Sequence, residues 1–168
     1  MNKYRIIFSP TSGTEKVANA MTKFWNEVKD IDLSKTDLDF SSISLTEEDM
    51  AVIAMPSFGG VAPQLALDRL AKMKGNQCKC AIVAVYRNRA YENTLVQMED
   101  YAVKAGFHVI AAVSAVAEHS ILHQYATGRP DENDGHQLTE GNTAQMSWCD
   151  GECIFCQMRL QKSKVYWR

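Results

Sequence analysis

The chain has 168 residues, of which 46% are hydrophobic and 23% are charged, and these values are ordinary for one globular domain. Its formal net charge of −2 gives no basic footprint for a nucleic acid or for an anionic membrane surface. The sequence has no basic leader with a long apolar segment, and no apolar run approaches the roughly 20 residues that span a bilayer. We therefore expect a cytoplasmic protein that binds neither nucleic acid nor membrane.

The first stretch with a clear pattern is an apolar run at Ile6, Ile7 and Phe8, followed by hydroxyl and turn residues and by a helical pattern from about Thr14. This order predicts a strand, a polar loop and a helix N-terminus. The first N–H groups of a helix have no partner inside the helix and carry partial positive charge. We interpret the loop as a site for one phosphate monoester, with hydroxyl or backbone donors from Ser9, Thr11, Ser12, Gly13 and Thr14.

Two details of this loop affect its interpretation. Neither G-x-x-x-x-G-K-[ST] nor G-x-G-x-x-G is present, so a nucleoside triphosphate or a dinucleotide is not the favoured ligand. Gly13 permits a positive φ angle and a close approach of the backbone to the ligand. The alternative is an ordinary turn in which Thr11, Ser12 or Thr14 is the capping side chain.

The segment after the loop predicts one helix and one weak strand. Apolar residues recur at helical spacing over residues 14–27, so we expect one buried face: Val17, Ala18, Ala20, Met21, Phe24, Trp25 and Val28. Charged and apolar residues alternate over residues 28–33, which indicates a strand at the edge of a sheet. Residues 35–49 are polar and form a connection.

The rest of the first 113 residues alternates strands and helices. Residues 50–56, 80–86 and 107–113 are apolar runs typical of buried parallel strands. Helices are predicted from Pro63, carrying Leu65, Leu67, Leu70 and Met73, and over residues 92–104. A repeat of about 30 residues predicts right-handed β-α-β units and a mainly parallel sheet with helices on both faces.

Ligands of such sheets bind outside the carboxyl ends of the strands, which places three loops together: residues 9–14, 57–62 and 87–91. The second loop offers Phe58 as a flat apolar surface and Gly59 and Gly60 as a backbone that can rotate. The third offers Asn88 for hydrogen bonds and Tyr91 as a second flat surface. A phosphate joined to a planar polar heterocycle is the ligand that this combination describes.

Four motifs in this order resemble the flavodoxin superfamily: Phe-Ser-Pro-Thr-Ser-Gly-Thr at 8–14, Met-Pro-Ser-Phe-Gly-Gly-Val-Ala-Pro at 55–63, Tyr-Arg-Asn-Arg-Ala-Tyr-Glu at 86–92 and Ala-Glu-His-Ser-Ile at 117–121. More narrowly, the chain is similar to the flavodoxin-like domain of flavodoxin–ferredoxin fusion proteins of anaerobic bacteria and archaea. The resemblance covers roughly residues 3–135. It implies an α/β three-layer sandwich with a five-stranded parallel sheet of order 2-1-3-4-5 and non-covalently bound FMN.

The resemblance also implies roles for particular residues. The loop at 9–14 would hold the FMN phosphate, and the second loop would border the isoalloxazine ring through Ser57, Phe58, Gly59 and Gly60. The opposite side would be bordered by Asn88 and Tyr91, with Glu118 and His119 near the site after the last strand. Arg87 and Arg89 would place positive charge near the reduced flavin, or they would point to solvent.

The implied function is electron transfer by FMN, as a carrier or as a flavin-dependent reductase module, with ferredoxin-like proteins or reductases as redox partners. The chemistry would reside in the flavin, so no residue is assigned as an acid, base or nucleophile. His119 beside Glu118 permits an acid-base interpretation, but a structural histidine explains the pair as well. The alternative function is a flavodoxin-fold binding or interaction protein that has lost the cofactor.

The end of the chain departs from the fusion proteins, so we divide the sequence into a flavodoxin-like domain at 1–140 and an irregular tail at 141–168. Five cysteines without an export signal indicate thiols or metal ligands rather than disulfides. The spacing Cys149-x3-Cys153-x2-Cys156 is that of radical S-adenosylmethionine enzymes, but no barrel domain follows. A zinc or iron–sulfur site with Cys78, Cys80 or another subunit is an alternative, and an altered terminus without chemistry is the preferred interpretation.

Overall fold

The fold is given by a computed structural model, which describes residues 1–86 and 91–117. Strands and helices alternate along these residues, as the apolar pattern predicts. In chain order they are β1 (Lys3–Ile7), α1 (Gly13–Met21), β2 (Val28–Asp32), a 3₁₀ turn (Phe40–Ser42), β3 (Met50–Pro56), α2 (Gln64–Leu70), β4 (Lys79–Tyr86), α3 (Thr94–Lys104) and β5 (His108–Val116).

The strands form one five-stranded sheet with the order β2-β1-β3-β4-β5, and every neighbouring pair is parallel. The predicted fold class is therefore confirmed. The chain moves outward from β1 to β2 and then crosses back to β3, which lies on the other side of β1. The strand order thus reverses between β1 and β3, and this is where open α/β sheets bind ligands.

The core consists of two apolar layers on the two faces of the sheet. Every residue of β3 is buried, because helices cover both of its faces. One layer joins the sheet to α2 and α3 through residues such as Leu67, Leu70 and Met98. The other layer joins the sheet to α1 through residues such as Val17 and Met21.

The first helix is shorter than predicted. It ends at Met21 rather than near residue 27, and the hydroxyl of Thr22 donates to the carbonyl of Ala18 at 2.8 Å. Beyond that point the helical periodicity no longer decides which side chains are buried. Phe24, predicted in the buried face, is 63% exposed, whereas Trp25 is buried after the chain turns. The inward placement of Phe24 was wrong for this reason.

The later helices differ from the prediction at their ends. Pro63 precedes α2, in which Leu67 and Leu70 are buried and Leu65 is 52% exposed. A spacing of two residues between Leu65 and Leu67 puts these side chains on different sides of a helix. Met73 is buried after the helix has ended. The predicted strands are all present.

A tight turn at the amino edge of the sheet depends on Gly75. The Gly75 N–H donates to the carbonyl of Ala105 at 2.7 Å, so this turn packs directly on the turn before β5. A side-chain carbon at Gly75 would lie 2.6 Å from the backbone nitrogen of Phe107 and 2.8 Å from the carbonyl carbon of Gly106. These neighbours are backbone atoms, so they cannot move aside as a flexible side chain would.

We predict that Gly75→Ala lowers the free energy of unfolding by about 2–3 kcal/mol, because the added methyl group forces two backbone segments apart. Gly13→Ala is the matched control, since its side-chain carbon would meet nothing closer than Ala117 Cβ at 3.8 Å. Urea unfolding of both variants gives the comparison. Equal stability of the two variants would show that the contact at Gly75 is easily relieved.

Asp49 connects the N-terminus to the loop before β3. Its carboxylate accepts four hydrogen bonds, two from the backbone N–H and side-chain amide of Asn2 and two from the backbone N–H and hydroxyl of Thr46. Burial alone raises the pKa of Asp49, but the hydrogen bonds together outweigh burial and lower the pKa below its ordinary value. The charged form of Asp49 is therefore the one that stabilises the fold.

We predict that Asp49→Asn lowers the free energy of unfolding by about 1–3 kcal/mol at pH 7, because the donors of Asn2 and Thr46 lose a charged acceptor. The folded-state pKa lies below the unfolded value of about 3.9, so the stabilisation is present above that value and is lost as the pH falls through the folded-state pKa. The difference in the free energy of unfolding between Asp49→Asn and the wild type should therefore become smaller below about pH 4.

Urea unfolding at pH 7 and pH 3 measures this change. Asp37→Asn is the control, because Asp37 is exposed and no hydrogen bond joins it to another described residue. If Asp49→Asn lowers the free energy of unfolding by the same amount at both pH values, the charge of Asp49 does not stabilise the fold.

Candidate functional site

The candidate site lies at the carboxyl edge of the sheet, where the loops after β1, β3 and β4 emerge from neighbouring strands. The described residues include most of the predicted site: Ser9, Thr11, Ser12, Gly13, Thr14, Ser57, Phe58, Gly59, Gly60 and Tyr91. Arg87, Asn88, Glu118 and His119 lie outside the described residues, as do Cys149, Cys153, Cys156 and the proposed domain boundary at residue 140.

The side chain of Ser9 closes the first loop. The backbone N–H of Glu15 donates to Ser9 Oγ at 3.0 Å, and the N–H of Lys16 donates to the carbonyl of Ser12 at 3.0 Å. Ser12 occupies the N-cap position of α1, but its side chain makes no capping hydrogen bond. A serine six residues before its donor lies beyond the usual capping spacing, so the local pattern did not reveal this contact.

The unusual backbone angle of this loop belongs to Ser12. Its φ is 60° and its ψ is −5°, which is the left-handed region that favours glycine. Gly13 would permit a positive φ but does not adopt one. The left-handed angle is one residue earlier, at Ser12, which immediately precedes the first helical residue.

Several donors at the start of α1 have no partner in the part of the chain that the structure describes. The side chain of Thr14 is only 4% exposed, yet its hydroxyl forms no hydrogen bond to any described residue. The backbone N–H groups of Gly13 and Thr14 are also without a described acceptor. Buried polar groups are nearly always hydrogen-bonded in folded proteins, so this cluster of donors fits an anionic ligand.

The second loop is a tight turn built on two glycines. The N–H of Phe58 donates to the carbonyl of Val61 at 2.9 Å, and the N–H of Val61 donates back at 3.3 Å. Between them Gly59 has φ 62° and Gly60 has φ 87°. These angles favour glycine at both positions.

Gly60 is also required by a close contact. A side-chain carbon at Gly60 would lie 2.2 Å from Glu92 Oε2, in space that the glutamate side chain already fills. The turn is held from the same side by the N–H of Asn93, which donates to the carbonyl of Gly60 at 2.9 Å. The segment before α3 therefore supports the turn that follows β3.

Two further contacts fix this loop to α3. The hydroxyl of Thr94 donates to Ser57 Oγ at 2.8 Å, and the side-chain carbonyl of Gln97 accepts from the N–H of Ala62 at 3.0 Å. Sequence reasoning missed Thr94 and Gln97, because nothing local to either residue points to a loop more than 30 positions earlier. These contacts make the second loop a supported part of the fold.

The two aromatic residues predicted to flank a ring differ in their surroundings. Phe58 is 47% exposed on the turn. Tyr91 is half-buried and packs against Tyr86, with ring centroids 5.5 Å apart and planes inclined by 56°. A planar ligand would therefore gain more from covering Phe58, since more of its apolar surface is open to water.

The buried cysteines lie away from this site, at the opposite edge of the sheet. Burial, together with the negative charge of Asp49, raises the pKa of the Cys78 thiol to about 12. Burial likewise raises the pKa of Cys80. Both thiols are therefore protonated and unreactive at neutral pH. Within residues 1–86 and 91–117, no group of His, Cys, Asp and Glu side chains could hold a metal ion.

The helices of the described ranges are too short or too polar to cross a bilayer.

The backbone strain at Ser12 leads to a prediction about stability. Ser12→Gly should raise the free energy of unfolding by about 0.5–1 kcal/mol, because glycine adopts the left-handed angle without a steric penalty and the exposed hydroxyl is not used for capping. Ser12→Ala is the matched control, which removes the hydroxyl but keeps the strain. If thermal and urea unfolding give the same stability for both variants, the strain at Ser12 is negligible.

No protein-family model and no curated protein sequence matches the chain. Solved structures do match it over most of its length. Oxidised flavodoxin 1 from Bacillus cereus has a TM-score of 0.61 at 14% identity, covering 82% of this chain and 92% of that one. A flavodoxin from Streptococcus pneumoniae has a TM-score of 0.54 at 19% identity, covering 82% and 92%.

A third similar structure is the two-electron reduced flavodoxin of Megasphaera elsdenii, with a TM-score of 0.53 at 17% identity, covering 81% of this chain and 94% of that one. At such low identities these likenesses establish the fold alone. The chain has a flavodoxin-like fold, in agreement with the sheet order described above.

Proposed function

We propose that the chain binds FMN non-covalently and transfers electrons, as a flavodoxin-like carrier or reductase module. The observation that carries this proposal is the group of donors without a described partner at the start of α1, beside the point where the strand order reverses. Similar folds named as oxidised and as two-electron reduced flavodoxins support a redox role.

The start of α1 suits the phosphate of FMN. Its donors would be the buried hydroxyl of Thr14 and the backbone N–H groups of Gly13 and Thr14, with the helix dipole adding partial positive charge. Ser9 would hold the loop in shape through its hydrogen bond to Glu15. These donors fit one phosphate group better than a longer phosphate chain.

The second loop suits the edge of a flat ring. Gly59 and Gly60 carry no side chains, so a ring can approach the backbone of the turn, and Phe58 offers an apolar surface beside it. The hydrogen bonds between Phe58 and Val61 hold the ends of the turn, while both glycines allow the central peptide to rotate. The carbonyl of Gly59 would then be available to accept a hydrogen bond from an N–H group of the ring.

When bound, FMN would supply reversible uptake and release of electrons, which no side chain of this site can provide. The chain's own residues would bind the phosphate, orient the ring and set the local charge. We extend the proposal to redox partner proteins, either ferredoxin-like or reductases, and to a place in the cytoplasm. We also propose that the chain is related to the flavodoxin-like domain of flavodoxin–ferredoxin fusion proteins.

We predict that Thr14→Val weakens FMN binding about tenfold or more, because the phosphate loses a hydrogen bond to a charged acceptor. Riboflavin lacks the phosphate, so its affinity should not change. Thr22→Val is the control variant, since it removes a hydroxyl at the opposite end of α1. Quenching of flavin fluorescence on titration with protein measures both affinities.

A wild-type protein that neither binds FMN nor gains thermal stability from it would contradict the proposed function, because a ligand of the native state must stabilise it. That result would favour the alternative, a flavodoxin-fold binding protein without the cofactor. An equal loss of FMN and riboflavin affinity in Thr14→Val would instead place the phosphate away from Thr14.

A further inference from the structure

The side chains of Ser57 and Thr94 form a pair of hydroxyl groups at the end of β3. Thr94 is fully buried at the start of α3, and its hydroxyl donates to Ser57 Oγ at 2.8 Å. Ser57 directly follows β3 and is only half-buried. One hydroxyl of the pair therefore lies inside the protein, and the other lies at the surface where the second loop begins.

Burial decides how the two hydroxyl protons are used. A buried hydroxyl proton needs an acceptor within the protein, and Ser57 Oγ is the acceptor that Thr94 has among the described residues. Thr94 therefore uses its proton on Ser57. The hydroxyl of Ser57 has no acceptor within the described ranges, so its own proton is left to donate outward, to water or to a ligand.

The backbone around this pair is fixed before any ligand binds. The N–H of Ser57 donates to the carbonyl of Val85 at 2.8 Å, which ties the start of the loop to β4. One turn beyond Thr94, the side-chain carbonyl of Gln97 accepts from the N–H of Ala62 at 3.0 Å, which ties the end of the loop to α3. A donor that is held in place in this way loses little entropy when a ligand binds to it.

We propose that Thr94 is a positioning residue, which holds Ser57 Oγ as an acceptor so that the Ser57 hydroxyl donates a hydrogen bond to an oxygen or nitrogen atom of the bound ring. This inference rests on the proposed function and deepens it. A hydroxyl that already accepts a hydrogen bond is a stronger donor, because hydrogen bonds in a chain polarise one another. Thr94 has no exposed surface, so it acts on the ligand only through Ser57.

The experiment compares the affinities for FMN and riboflavin, which share the ring, by quenching of flavin fluorescence. Ser57→Ala should weaken the binding of both flavins about three- to tenfold, because the ring loses a hydrogen bond. Thr94→Val keeps the shape of the side chain without its hydroxyl and should weaken both about threefold. Thr94→Ser keeps the hydroxyl and should restore wild-type affinity. Thr22→Val is the control, because it removes another buried hydroxyl, at the far end of α1.

The double variant Ser57→Ala/Thr94→Val separates positioning from a general effect on the fold. If Thr94 acts through Ser57, the double variant should bind both flavins as Ser57→Ala alone does. Independent effects would instead multiply, to a loss of roughly ten- to thirtyfold. Thermal unfolding of each variant without ligand establishes that all of them are folded at the temperature of the titrations.

Three results would overturn the inference while leaving FMN binding intact: wild-type affinity in Thr94→Val, multiplied losses in the double variant, or losses that affect FMN but not riboflavin. The last result would mean that the Ser57 hydroxyl donates to the phosphate rather than to the ring. A wild-type protein that binds neither flavin would overturn the proposed function itself, and the inference with it.

Discussion

The burial of β3 on both faces is the constraint from which the rest of the structure follows. A strand with no face open to water requires a helix layer on each side and parallel neighbours reached by crossover connections. In a parallel sheet every strand then ends at the same edge. The loops after β1, β3 and β4 are thereby brought together, although they are separated by many residues along the chain.

The parts of the fold that the sequence predicts are those decided by local pattern. Continuous apolar runs identify β3 and β4, and alternating charges identify β2 as an edge strand. The glycine pair at Gly59 and Gly60 marks a turn whose positive φ angles favour glycine. Each of these features is decided within a few residues, so the neighbouring sequence contains the information needed to find it.

The parts that could not be predicted depend on contacts between distant segments. Phe24 is exposed because α1 ends three residues earlier, and a hydrophobic period cannot show where a helix stops. Glu92 meets Gly60, and Thr94 meets Ser57, only after α3 has packed beside the turn. The positive φ lies at Ser12 rather than at Gly13, so residue type alone did not identify the residue that adopts it.

The two edges of the sheet differ in how completely their polar groups are satisfied. At the amino edge, the left-handed residue Asn76 is compensated by hydrogen bonds from its side chain to Ser44 and Leu45, and Asp49 has four donors. At the carboxyl edge, Ser12 is strained without a capping bond and Thr14 is buried without a described partner. A ligand that accepts hydrogen bonds from these donors would offset that cost, so stability and binding are linked at this edge. This difference between the two edges supports the proposal that the first loop is a binding site.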